Sequence, residues 1–135
     1  MVRVTRGDDG GFEVEHLWDS PRLKAKFTQV VHHKGFLYGL DEGVMVCLNP
    51  EDGERLWKRG RYGHGQILLV GPVILVLTEK GQVVMIAAAS DALEELGRVQ
   101  ALRGKTWNNL CLWGPYLLLR NAEEAACYKL PLDGP

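Results

Sequence analysis

The chain repeats itself on a period near 40 residues, and three independent landmarks carry that period. Glu15-His16-Leu17-Trp18 is matched 39 residues later by Glu54-Arg55-Leu56-Trp57. A turn glycine opens Gly43-Val44-Met45-Val46-Cys47 and, 38 residues on, Gly81-Gln82-Val83-Val84-Met85. A third copy, Glu123-Glu124-Ala125-Ala126-Cys127, follows after 42 more residues and lacks the glycine. The last landmark sets a glycine ahead of an apolar strand, in Gly35-Phe36-Leu37-Tyr38, Gly71-Pro72-Val73-Ile74 and Gly114-Pro115-Tyr116-Leu117. A fixed period of this length implies stacked supersecondary units, each unable to bury its apolar face alone. The 16 glycines among 135 residues fit that plan, because tight turns between short strands use glycine heavily.

Within each period, short β-rich runs are separated by turn residues, and the gaps are too short for a crossover helix, so the strands are antiparallel. The best-formed unit, residues 28–57, reads as strands Thr28–His32, Phe36–Leu40, Val44–Asn49 and Arg55–Trp57. Its turns, His33-Lys34-Gly35, Asp41-Glu42-Gly43 and Pro50-Glu51-Asp52-Gly53, all end in glycine. Residues 66–101 form a second unit with strands Gln66–Val70, Val73–Thr78 and Val83–Ala88 and a fourth near Gly97–Ala101. Ser90–Leu96 is expected to make one helical turn, with Ser90 as its N-cap. The third unit, residues 107–130, has Asn108–Leu112, Tyr116–Asn121 and Ala125–Leu130 and no fourth strand. Residues 1–18 add a hairpin of Val2–Thr5 and Phe12–Trp18.

Ile67-Leu68-Leu69-Val70 and Val73-Ile74-Leu75-Val76-Leu77 are apolar at every position, which is the pattern of strands buried on both faces. Four-stranded antiparallel sheets repeated about every 40 residues and buried on both faces are expected to stack as blades of a β-propeller. A two-layer sandwich, the competing architecture, would wet one face of each sheet and show cleaner alternation. The expected fold is therefore all-β, with about three four-stranded antiparallel blades forming a partial propeller.

Leu48-Asn49-Pro50-Glu51-Asp52-Gly53-Glu54-Arg55-Leu56-Trp57, preceded by Leu37-Tyr38-Gly39-Leu40, resembles the repeat of the PQQ-like (quinoprotein-type) β-propellers. That repeat also occurs in the barrel-assembly lipoprotein of Gram-negative outer membranes, whose C-terminal third this chain resembles. Gly53 and Trp57 stand at the family's spacing; Trp18, Gly43 and Gly81 complete the structural signature. The second unit departs from the pattern, with Leu96 or Val99 where the tryptophan would fall. Gly53 is expected to permit the turn onto the outer strand, and Trp57 to fill the gap between neighbouring blades.

Enzymes of that family hold pyrroloquinoline quinone and calcium on the propeller axis, with a Trp platform, a vicinal Cys-Cys pair and a set of carboxylate and amide ligands. Here no two cysteines are adjacent, and only Trp107-Asn108-Asn109 offers suitable residue types. No cofactor is expected, and Trp107 reads as packing at the inner end of a strand. His32-His33 cannot chelate together, because neighbours in a strand point to opposite faces. His64, in Arg61-Tyr62-Gly63-His64-Gly65-Gln66, lacks the following helix or Lys-Ser/Thr ending of a phosphate loop. Arg61, His64, Lys105 and Trp107, together with Lys26-Phe27, are the candidates for a surface near the central channel. The acidic pairs Asp8-Asp9, Asp41-Glu42, Glu94-Glu95 and Glu123-Glu124 fall in turns or strand starts and read as solvated. Cys47, Cys111 and Cys127 have neither zinc nor disulfide spacing and are expected to be free thiols in the core.

A formal net charge of −1 with no basic stripe gives no reason to expect nucleic acid or an anionic membrane as partner. The longest apolar run, Ile67–Leu77, is interrupted by Gly71-Pro72 and falls short of the ~20 residues needed to span a bilayer. The charged N-terminus is unlike a signal peptide, which suits a cytoplasmic protein if the chain is complete and a periplasmic one if it was cut from an exported parent. Two, four, four and three strands cannot close a ring, since the smallest propellers have about four blades of four strands. A homodimer is expected, in which the partner's Phe12–Trp18 strand completes the last unit and the arcs close into one ring. The functional expectation is a non-catalytic scaffold or protein-interaction module; the alternative is a small-ligand or quinone-binding propeller that uses its central channel.

Overall fold

A computed structural model describes residues 1–131. Among these the chain is all-β, with thirteen strands in four antiparallel sheets and no helix. β1 (Val2–Arg6) and β2 (Phe12–His16) form an isolated hairpin. β3 (Val31–His33), β4 (Phe36–Asp41), β5 (Val44–Leu48) and β6 (Arg55–Arg61) form the first large sheet. β7 (Gln66–Val70), β8 (Val73–Leu77), β9 (Gln82–Ala87) and β10 (Glu95–Gln100) form the second. The third contains β11 (Cys111–Trp113), β12 (Tyr116–Arg120) and β13 (Ala125–Lys129). Every large sheet is a meander in chain order, as the short connections require.

The turns are tighter than their sequences suggested. His33 pairs with Phe36 and Asp41 with Val44, leaving two-residue loops. In each loop both residues have positive φ, Lys34 (45°) with Gly35 (82°) and Glu42 (49°) with Gly43 (82°), which matches the twist of the flanking strands. The expected helical turn at Ser90–Leu96 does not form. Instead the Ala87 N–H donates to Glu94 O, Leu93 packs against the core, and β10 begins at Glu95. Burying Leu93 there outweighs a single turn of helix, whose nucleation is unfavourable on its own.

The three large sheets stack face to face through two cores. Tyr38, Leu40, Met45, Cys47 and Trp57 of the first sheet meet Ile67, Ile74, Val76, Val84 and Ile86 of the second. Leu75, Leu77 and Val83, on the second sheet's other face, meet Leu117 and Leu119 of the third. Strand β8 thus sends Ile74 and Val76 into one core and Leu75 and Leu77 into the other, which is why it has no polar position. Each such side chain contributes roughly 1.5–3 kcal/mol by leaving water.

Among the described residues the stack does not close into a ring: the outer face of the first sheet, with Val46 and Leu48 buried, is covered by Leu23 and Val30, and that of the third sheet is bare. β12 alternates strictly, with Leu117 and Leu119 buried while Tyr116, Leu118 and Arg120 are exposed. Cys111 and Cys127 are also exposed, leaving Cys47 as the one cysteine in the core. That departure from the expected packing has a simple cause: both exposed cysteines pair in register with Leu118 on the uncovered face of the third sheet. At the other end, the hairpin exposes Val2, Val4, Phe12 and Val14, which lie on one face by strand alternation.

Candidate functional site

The signature residues hold successive units together. Gly53 has φ +70°, and a Cβ there would lie 2.6 Å from the Trp18 ring, so the turn is both left-handed and pressed against that indole. Trp57 is 7% exposed, packs against Tyr38 and reaches the loop that follows β9 of the second sheet, where its indole N–H donates to Ala89 O. Gly43 O accepts the Tyr62 N–H and Gly81 O accepts the Leu102 N–H. Both turn glycines therefore latch the connection that leaves their own sheet. These are structural roles.

The channel-surface candidates come together where the segments entering β7 and β11 meet the β8–β9 turn. Glu79, in that turn, organises them. Its Oε1 accepts the Trp107 indole N–H at 2.9 Å, and its Oε2 accepts the His64 backbone N–H at 3.3 Å. Lys105 Nζ sits 4.1 Å from the centre of the Trp107 ring, and Lys26 Nζ lies 3.4 Å from His64 Nε2. Phe27 meets Trp107 edge-on at 5.9 Å and His64 at 6.2 Å. The Trp107 hydrogen bond, with smaller help from the His64 N–H and the nearby His64 and Lys105, holds the Glu79 carboxyl below the usual carboxylate range. Both its oxygens accept from neighbouring segments, so Glu79 ties those segments to the β8–β9 turn.

Arg61 stands apart from the aromatic cluster. It lines an adjoining cleft of about 450 Å³ with Glu42, His64, Glu79, Lys80 and Arg98. On the other side, Phe27, Gln29, Gln66, Trp107, Asn108 and Arg120 border an open cleft of about 480 Å³. Gln66 is 4% exposed; its Nε2 donates to Phe27 O and Trp107 O, and its Oε1 has no partner among the described residues. Sequence reasoning passed over Glu79 and Gln66, because their roles come from contacts between units and no local motif marks either one.

The residues of this region do not fit a quinone and calcium. Cys111 and Cys127 lie on separate strands flanking Leu118, about 9.6 Å apart by strand spacing, so they cannot form a vicinal pair. Trp107 carries Lys105 over its ring and Phe27 at its edge, so one face of the indole is already taken by a cation. Among the described residues no group of three or more His, Cys, Asp or Glu is placed to hold a metal ion.

No protein-family model matches the chain, and no curated protein matches it. Among solved structures it is similar to the crystal structure of the computationally designed Ika8 protein, with a TM-score of 0.66 and 11% identity. The match covers 96% of this chain and 43% of that one, so the chain spans less than half the length of the designed protein. At that identity the likeness is one of fold alone.

Proposed function

We propose that this chain is a non-catalytic scaffold, a protein-interaction module of the PQQ-like β-propeller type that associates with a second copy of itself to complete its ring. One observation carries the reading: the free face of the third sheet exposes Trp113 (73%), Tyr116 (39%) and Leu118 (44%), whereas the stacked faces of the other sheets are buried. An apolar sheet face with an open edge beside it is an association surface. Light scattering at micromolar concentration is expected to give twice the 15.1 kDa chain mass. A monomer with native-like circular dichroism overturns the proposal.

A second reading, a small-ligand binder, draws support from the unpartnered Gln66 Oε1 beside the amide-lined cleft. Titration with pyrroloquinoline quinone plus calcium tests its quinone form. Saturable absorbance changes at stoichiometric protein would favour that reading, and their absence removes it.

A further inference from the structure

We infer that the strand completing the third sheet is the segment Trp18–Leu23 of a second copy, laid along the open edge of β13 as β6 lies along β5. The inference rests on the self-association reading and moves the joint from Phe12–Trp18 to the residues that follow the hairpin.

Two pairs of hydrogen bonds place the segment. Trp18 donates its indole N–H to Pro50 O at 2.9 Å, and Trp57 donates to Ala89 O at 3.3 Å; each acceptor lies 32 residues after its tryptophan. Six residues beyond Trp18, Lys24 O accepts the Glu42 N–H; in the next unit, Tyr62 O accepts the Glu79 N–H. Residues 18–24 therefore lie against the first large sheet in the place that Trp57–Tyr62 holds against the second, with one residue more and a turn at Pro21–Arg22 where β6 is extended. Trp57–Tyr62 is the fourth strand of a sheet and the start of its exit. Among the described residues Trp18–Leu23 holds the same place with no strand beside it, except that Met1 O accepts the Leu17 and Trp18 N–H groups and the Met1 ammonium donates to Trp18 O.

The third sheet has the complementary vacancy. Among the described residues β13 bonds to β12 alone, and no fourth strand lies beside it. Leu118 pairs with Cys127 in register, as Tyr38 pairs with Cys47 in the first sheet. Tyr38 is 1% and Cys47 0% exposed because the second sheet covers them, whereas Leu118 is 44% exposed. Since Trp57 pairs with Cys47 and Lys58 with Val46, the equivalent joint sets Trp18 opposite Cys127 and Asp19 opposite Ala126. Pro21 then falls at the place of Gly60, the extra residue in β6 between Arg59, paired with Met45, and Arg61, paired with Val44. A proline at that bulge costs no ladder hydrogen bond.

This register also resolves the strand count. β6 begins two residues before Trp57, so the equivalent strand begins at His16, and most of β2 lies beyond the sheet's end. The β1–β2 hairpin becomes a long turn outside the ring, and each chain supplies three complete sheets of four strands. Two copies make six such sheets, and each brings its first sheet over the face bearing Tyr116 and Leu118 of the other. β13 takes over the bonds that Met1 makes to Leu17 and Trp18.

Disulfide trapping tests the joint. The pair Asp19→Cys and Ala126→Cys, in a chain with Cys111→Ser and Cys127→Ser, is directly cross-strand in the proposed register and within disulfide reach. Oxidation is expected to shift most of the chain to twice the 15.1 kDa mass on a non-reducing gel. The pair Val14→Cys and Ala126→Cys is expected to leave it at the monomer mass. A dimer by light scattering that cross-links through Val14, or through neither pair, overturns the joint and leaves self-association standing. A monomeric wild-type chain overturns both, and a ladder of higher multiples overturns two-fold closure.

Discussion

Trp57 and Tyr38 pack with ring centroids 6.2 Å apart and planes inclined at 51°, joining the outer and inner parts of one sheet under the cover of the next. Tilted aromatic pairs add roughly 0.5–1.5 kcal/mol beyond the area they bury. Truncation also leaves a cavity between two sheets that cannot both collapse into it. Trp57→Ala is expected to cost about 3–5 kcal/mol in urea unfolding. Trp57→Phe keeps much of the area and loses the bond to Ala89 O, a loss of about 1 kcal/mol for the bond itself. A wild-type-like midpoint for Trp57→Ala would show that the sheets are not held together there.

The glycine turns differ in what surrounds them, and that difference is measurable. Gly81 has φ +77°, and a Cβ there would lie 2.3 Å from Leu102 O, the backbone of the connection its own carbonyl latches. Gly71 has φ +55° and open space around it. Gly71→Ala should cost about 1–2 kcal/mol, the left-handed penalty alone. Gly81→Ala adds a backbone clash, so its melting temperature should fall clearly below that of Gly71→Ala. Equal values would mean that the turn shifts freely and that the latch contributes little.

Asp41 predicts the acid response. Burial opposes its charge, but the side chain of Lys58 and the backbone N–H of Lys24 donate to its two oxygens and hold its carboxyl below the ordinary value of 3.8. A lowered folded-state pKa means that the unfolded chain binds the proton more readily. The stabilisation is therefore complete above the unfolded value and is lost as pH falls through the folded one. Glu79 and Glu95 shift in the same direction, Glu95 through Arg98 and then Tyr62. Stability should decline below about pH 4. Asp41→Asn should lower stability at pH 7 and flatten that decline, as read by urea midpoints between pH 2.5 and 7.

Much of this architecture was legible because the repeat is written in residues with narrow conformational uses. Glycines mark the turns, Trp18 and Trp57 mark equivalent places, and the all-apolar β8 announced burial on both faces. Four features escaped for physical reasons. Asp41 read as a solvated turn acid but is 5% exposed, held by Lys58 and the Lys24 N–H, which reach it from outside its own hairpin. Ser90–Leu96 carries a local helix signal that loses to the packing of Leu93. Cys111 and Cys127 read as core thiols because one chain does not say which sheet lies last in the stack. Glu79 looks like any solvated turn acid until segments 28 and 15 residues away converge on it.

Leu118 separates what holds a single chain together from what joins two. Its side chain is 44% exposed on the free face of the third sheet, opposite the core made by Leu117 and Leu119. Replacing it with Glu removes little packing within the chain, so unfolding of the dissociated protein should change by no more than about 0.5 kcal/mol. In the assembled ring the same position would be covered, as Tyr38 is in the first sheet. A carboxylate buried there without a partner costs far more than the leucine contributes. Leu118→Glu should therefore reduce the mass to 15.1 kDa while the circular dichroism stays native-like. Leu117→Glu, aimed into the core, should instead unfold the chain. A Leu118→Glu variant that keeps the doubled mass would place the joint on another surface.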